Sequence, residues 1–170
     1  YSTRPPDYWH THEVTMAGRI YSVVFSAVAV SAAQDLFEIT PADDKPIEIV
    51  GLELGQTSDS GDADDELLQI SIIRGFTASG SGGSTPTPAP LDPIDTAAGF
   101  TSEVNNTTVA NTGTSVTLWT TTWNVRAGYI NWWPPEARPA ASQANTTIVV
   151  RTTAPADALT MSGTLYVRER

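Results

Sequence analysis

Leu159-Thr-Met-Ser-Gly-Thr-Leu-Tyr-Val167 alternates strictly between apolar or small residues and polar ones. Leu159, Met161, Leu165 and Val167 fall on one side; Thr160, Ser162, Thr164 and Tyr166 fall on the other. Successive side chains of an extended chain point to opposite faces, so a period of two reads as a strand with one face on a core and one nearer water. A strand of this length needs partners along at least one edge, and the chain upstream must supply them.

Several stretches qualify. Arg19–Val30 carries Ile20, Val23, Val24, Val28 and Val30, apolar on both faces, which predicts a central strand covered twice. Leu36–Thr40 is short and ends at the breaker-rich Pro41-Ala-Asp-Asp-Lys-Pro46. Ile47–Leu54 places Ile47 and Ile49 on one face and Val50, Leu52 and Leu54 on the other. Leu67–Phe76 alternates Leu68, Ile70 and Ile72 against Gln69 and Ser71. Phe100–Val109, Val116–Val125, Tyr129–Trp133 and Thr146–Thr153 are further candidates. Only residues 32–36 offer a helical turn. About eight strands and no convincing helix make an all-β chain, a sandwich or jelly-roll count.

Length and composition agree. The chain has 170 residues, 40% hydrophobic and 16% charged, which suits one folded domain with a sizeable core. Cysteine is absent, so disulfides and thiolate metal sites are excluded. No apolar run approaches the ~18 residues that a membrane helix needs. With 19 acidic and 9 basic residues the net charge is −10, which disfavours phosphate backbones and anionic membranes as partners.

Two segments differ in character. Residues 1–15 show no periodicity and read as an extended N-terminal arm; Met16-Ala-Gly reads as an initiation site, which would make the arm an upstream extension. Residues 16–170 then form a single domain. Within it, 77–95 is Gly/Ser-rich and then Pro-rich, a flexible half followed by a stiff one. That length exceeds an ordinary hairpin connection, so it is expected to lie as a loop outside the β core.

Few residues offer reactive chemistry. His10 and His12 are the only histidines. With Asp7 or Glu13 as the third ligand they could hold a metal, but the histidines alone supply only two and the plain arm is the favoured reading. Asp59, Asp62, Asp64, Asp65 and Glu66 do not match a twelve-residue calcium loop and read as a solvated turn. No carboxylate pair or nucleophile is flanked distinctively, so neither catalysis nor a cofactor is expected. Asn105-Asn-Thr-Thr108 and Asn145-Thr-Thr147 contain glycosylation sequons.

The densest feature is aromatic. Trp119, Trp123, Tyr129, Trp132 and Trp133 fall within fifteen residues. Trp119 and Trp123, four apart, share a strand face; Trp132 and Trp133, adjacent, must point oppositely, so one leaves the core. Core, subunit interface and sugar-stacking platform are all open to this set. The expected interface joins these five to Tyr8 and Trp9 of the arm.

Five stretches carry a family resemblance: Met16-Ala-Gly-Arg-Ile-Tyr-Ser-Val-Val-Phe25, Pro41-Ala-Asp-Asp-Lys-Pro-Ile-Glu-Ile49, Ser81-Gly-Gly-Ser-Thr-Pro-Thr-Pro88, Glu103-Val-Asn-Asn-Thr-Thr108 and the 159–167 strand. Together they resemble small jelly-roll capsid-like virion proteins of phage and environmental viral genomes. The resemblance covers 16–170 and implies an all-β, eight-stranded antiparallel jelly-roll sandwich that serves as a non-enzymatic structural protein of the virion. It implies self-assembly into a symmetric homo-oligomer, a ring such as a trimer or pentamer, or a shell. The acidic balance departs from capsid proteins that hold nucleic acid on basic arms, which favours a shell-only or decorating role. The alternative is a carbohydrate- or receptor-binding β-sandwich.

Overall fold

The computed structural model describes residues 18–58, 66–142 and 146–170. These form two antiparallel sheets packed as a sandwich. In chain order the strands are β1 (Arg19–Val30), β2 (Gln34–Thr40), β3 (Ile47–Gln56), β4 (Leu67–Phe76), β5 (Ala89–Pro90), β6 (Thr101–Asn106), β7 (Gly113–Asn124), β8 (Tyr129–Trp132), β9 (Ala140–Ala141), β10 (Thr147–Thr152) and β11 (Leu159–Glu169). One sheet runs β5-β1-β11-β3-β8, with β9 also on β3; the other runs β6-β2-β10-β4-β7. Eleven strands thus stand where eight were expected. Two of the additions, β5 and β9, are two residues long and leave no periodicity to read.

The organising strand is β11. It lies between β1 and β3, and its burial alternates without a break from Leu159 to Glu169. Leu159, Met161, Leu165 and Val167 all reach the core. That core is a single cluster filled from both sheets, with Phe25 tilted on Phe37 at 5.1 Å and Tyr21 edge-on to Phe100 at 5.5 Å. Burying each large side chain contributes about 1.5–3 kcal/mol, so this cluster is the main source of stability.

The two neighbours of β11 correct the sequence reading in the same way. β1 is covered on one face, not two: Val24 is 49% exposed. Its register against β11 shifts between Phe25 and Val28, around Ala27 at φ +53°. This bulge moves the core side from Tyr21, Val23 and Phe25 to Val28 and Val30. β3 shifts at Val50, whose carbonyl accepts the Trp133 N–H at 3.0 Å. Ile47, Ile49, Leu52 and Leu54 therefore share the core face instead of dividing between two. In both strands the change of parity follows from a register shift against β11.

β2 is covered on both faces. All of it is buried except half-buried Thr40. Its outer face carries Asp35 and Glu38, both buried, and the segment expected as a loop outside the core lies over Glu38. Residues 77–95 bridge to the outer edge of β6 through Ser81↔Thr108 and Ser84↔Val104. They then cross to the other sheet, where β5 pairs with β1. Both Glu38 carboxylate oxygens accept the Gly80 N–H, at 2.9 and 3.1 Å. A Cβ at Gly80 would stand 2.1 Å from the Thr108 carbonyl oxygen, so only glycine allows this approach. The segment is a strap that closes one side of the sandwich.

Candidate interface

The other side of the sandwich is bounded by β7 and β8. Tyr129 closes the β8 ladder against Leu54, and Trp119 stands opposite Ile72 on the core face of β7. The rings of Trp119 and Tyr129 lie 6.3 Å apart, and Trp119 meets Trp133 edge-on at 5.3 Å. Trp119 and Tyr129 are half-buried, and burial raises the Tyr129 hydroxyl above its ordinary pKa. Trp123 shares the core face with Trp119, as the four-residue spacing predicts. It is buried, and its indole N–H donates to the Ala127 carbonyl at 2.6 Å, which pins the β7–β8 turn.

Trp132 and Trp133 do part. Trp133 enters the core, while Trp132 turns outward, 53% exposed, and stacks on Tyr166 at 4.8 Å. Both rings stand beside Gly51, which pairs with each of them; a Cβ there would come within 2.8 Å of the indole. The seven expected interface residues therefore divide. Trp123 and Trp133 are core, Trp119 and Tyr129 sit at the core margin, and Trp132 is on the surface. Tyr8 and Trp9 lie outside the described residues, as do His10, His12 and Asp59–Asp65.

Sequence reading missed the companions of Trp132. Tyr166 belongs to the outward row of β11, where an aromatic among Thr and Ser was the available signal. Ile130, 67% exposed, pairs with Glu53 on the same outer face. A shallow groove of about 360 Å³ follows it, lined by Glu53, Gly55, Tyr129, Ile130, Ser162 and Thr164. Further along this face Glu48, buried, gathers Arg138 at 3.4 Å, Arg168 at 3.9 Å and Arg170. Leu67 at 63% and Val116 at 52% add exposed apolar surface on β4 and β7.

Other candidate chemistry is tied into the fold. Glu66 accepts the Ala156 N–H. Asn105 and Asn106, two of the three sequon asparagines, are buried; Asn106 accepts from Gly83 N–H at 3.1 Å and donates to Glu103 at 2.7 Å, while Asn145 lies outside the described residues. Among the described residues no group of three or more His, Asp or Glu is placed to hold a metal ion. Among them, too, no helix is long and apolar enough to cross a membrane.

No family model matches the chain, and no curated protein matches it.

Proposed function

We propose that this chain is a non-enzymatic structural protein of a virion, capsid-like or decorating, that assembles with copies of itself into a closed ring or shell. The observation that carries this reading is the β7/β8 side of the sandwich. There Trp132 and Ile130 of β8 stand exposed, and Trp119 and Tyr129 are only half covered. Exposed aromatic and aliphatic side chains gathered on one side mark an association surface more often than a solvated one.

The strand order supports the jelly-roll form of the proposal. Setting aside β5, β6 and β9, the sheets run β1-β11-β3-β8 and β2-β10-β4-β7. Each strand of the first four then has its chain neighbour in the opposite sheet, as two interleaved Greek keys require. Such a fold presents broad sheet sides, and identical subunits that associate through them normally close into rings. A biological contact should bury on the order of 1,000 Å² or more. The net charge of −10 argues for a shell-only or decorating role without nucleic-acid contact.

Solution mass by light scattering over a wide concentration range, with electron microscopy of the same sample, tests the proposal. A closed oligomer is expected. A strict monomer at high concentration overturns it and moves the reading to a sugar- or receptor-binding sandwich. That second reading has its own observation, the open Trp132–Tyr166 stack, and its own test. Glycan binding should be lost on Trp132→Ala. Trp123, being buried, is the wrong residue to probe.

A further inference from the structure

β7 ends its sheet, and the described residues place no strand beyond it. It is twelve residues long and contains neither a charged residue nor a proline. A sheet edge of that kind is a template for another strand, and folded proteins normally blunt it with lysine, proline, a cover or brevity. The other three edges are blunted. The strap bridges β6 through Ser81 and Ser84. β1 is part-covered by β5 and kinked at Ala27. β8 has only four residues.

The direction of the free backbone groups on β7 follows from its neighbour. The Gln69 carbonyl accepts the Thr153 N–H at 3.1 Å, and the Gln69 N–H donates to Thr153 Oγ1 at 3.0 Å. Both backbone groups of Gln69 thus face away from β7. Thr122 stands opposite Gln69 in the antiparallel ladder, so its own N–H and C=O turn outward, and by the period of two so do those of Thr120. A register shift at Leu118 bends the strand, which leaves Trp119–Asn124 as the straight, open stretch.

We propose that β7 is a strand-addition edge. On it β7 of a second copy of this chain pairs antiparallel across a two-fold axis, joining two five-stranded sheets into one. The inference rests on the assembly reading above and names the surface and the bonding mode. The uncharged, self-complementary edge selects the partner. A chain of net charge −10 repels its copies wherever carboxylates face each other, and β7 offers an uncharged line of contact. With the axis at Thr121, Thr120 faces Thr122 of the partner subunit, so outward backbone groups meet outward backbone groups. Threonine pairs across strands are favourable in themselves. The seam also runs beside Trp119 and Tyr129, whose half-exposed rings it covers.

The test uses the full chain. Thr122→Pro removes an N–H that β4 does not use, and Thr122→Glu places a carboxylate on an exposed position of the seam. Both variants should keep the wild-type near-ultraviolet circular dichroism and raise the dissociation constant by roughly tenfold or more in light scattering. In wild type, the Thr120 and Thr122 amides should exchange at least about tenfold more slowly in the assembled sample than in a dilute one. An oligomer that survives both substitutions, with those amides exchanging freely, overturns strand addition and leaves self-assembly standing. A wild-type protein that stays monomeric overturns both. Protection that disappears when residues 1–17 are removed gives the edge to the arm and overturns pairing of β7 with itself.

Discussion

Gly163 of β11 stands directly opposite Phe25 of β1, and a Cβ on Gly163 would lie 2.8 Å from the Phe25 ring. Leu54 of β3 is equally close on the other side. Gly163 thus occupies a core position in the alternation of β11, and the space its missing side chain leaves is filled from both neighbouring strands. Gly163→Ala should therefore overpack the sheet and lower stability by about 1–3 kcal/mol in urea denaturation. Phe25→Leu in the same chain should recover part of that loss. A Gly163→Ala protein as stable as wild type would show that the ring has room to move.

The register of β11 makes a sharper claim. Met161 is fully buried, while Thr160 beside it is half-buried on the opposite face. An aspartate at position 161 would enter the core without a partner, so Met161→Asp should abolish soluble folding. Thr160→Asp should remain soluble and folded. Soluble yield and circular dichroism of the two variants decide the matter, and a well-folded Met161→Asp protein would overturn the register.

The all-β sandwich was legible because a period of two survives in β4 and β11 whatever surrounds them. What hid were features set by partners. Ile47, Ile49, Leu52 and Leu54 read as two faces because nothing in the chain marks Val50 as a bulge; the shift exists only against Tyr166 and Val167. The strap read as a loop because glycine and proline normally break strands, and its pairing consists of two single bridges and one two-residue ladder to distant residues. Nothing in the sequence marks Glu38 as the residue that the strap covers. Among the aromatics, adjacency alone separated Trp132 from Trp133. Trp123 gave no such sign, because a spacing of four places it with Trp119 without saying which of the two is deeper.

The strap itself can be removed. Loop length alone changes stability slowly, which would make deletion of residues 79–88 inexpensive. The structure argues otherwise. Ser81 exchanges two backbone hydrogen bonds with Thr108, and Ser84 exchanges two with Val104. At about 1 kcal/mol each, losing the four costs on the order of 4 kcal/mol, or roughly 10 °C in melting temperature. Calorimetry of a deletion closed with a short linker should show this drop. A melting temperature within a degree or two of wild type would return the segment to the status of a loose loop.

Asp35 is fully buried and held by Arg151 through two hydrogen bonds of 2.6 and 2.9 Å; the Ala110 N–H adds a third at 2.8 Å. Arg151 in turn donates to the Ala110 carbonyl and lies over the Phe76 ring. Arg151→Ala should cost about 3–5 kcal/mol, because it leaves a buried carboxylate without its countercharge. Arg151→Lys should recover only part, since an ammonium cannot reproduce the planar two-point contact. Urea denaturation of the three proteins gives the comparison. Equal stability of the lysine and arginine forms would show that charge alone matters here.

Glu38 makes stability depend on pH near neutrality. Burial is the main cause that raises its carboxyl from an ordinary 4.5 to about 7. The nearby Asp35 pushes the same way, while the hydrogen bonds from Asn106 and Gly80 pull back. A group whose pKa is higher in the folded chain binds its proton more tightly there. Its contribution is therefore fully present below pH 4.5 and is lost as pH rises through 7. The difference between the two values sets a ceiling of about 3 kcal/mol on the loss. Glu38→Gln carries no proton to lose, so its stability should exceed that of wild type increasingly between pH 5 and 8. The two curves should run parallel below about pH 4.5, where wild-type Glu38 is protonated in both states. The subtraction cancels the general repulsion of an acidic chain, because all other carboxylates are shared. Urea denaturation of both proteins across this range measures it, and a difference that does not change with pH would show that Glu38 ionises as an ordinary surface carboxylate does.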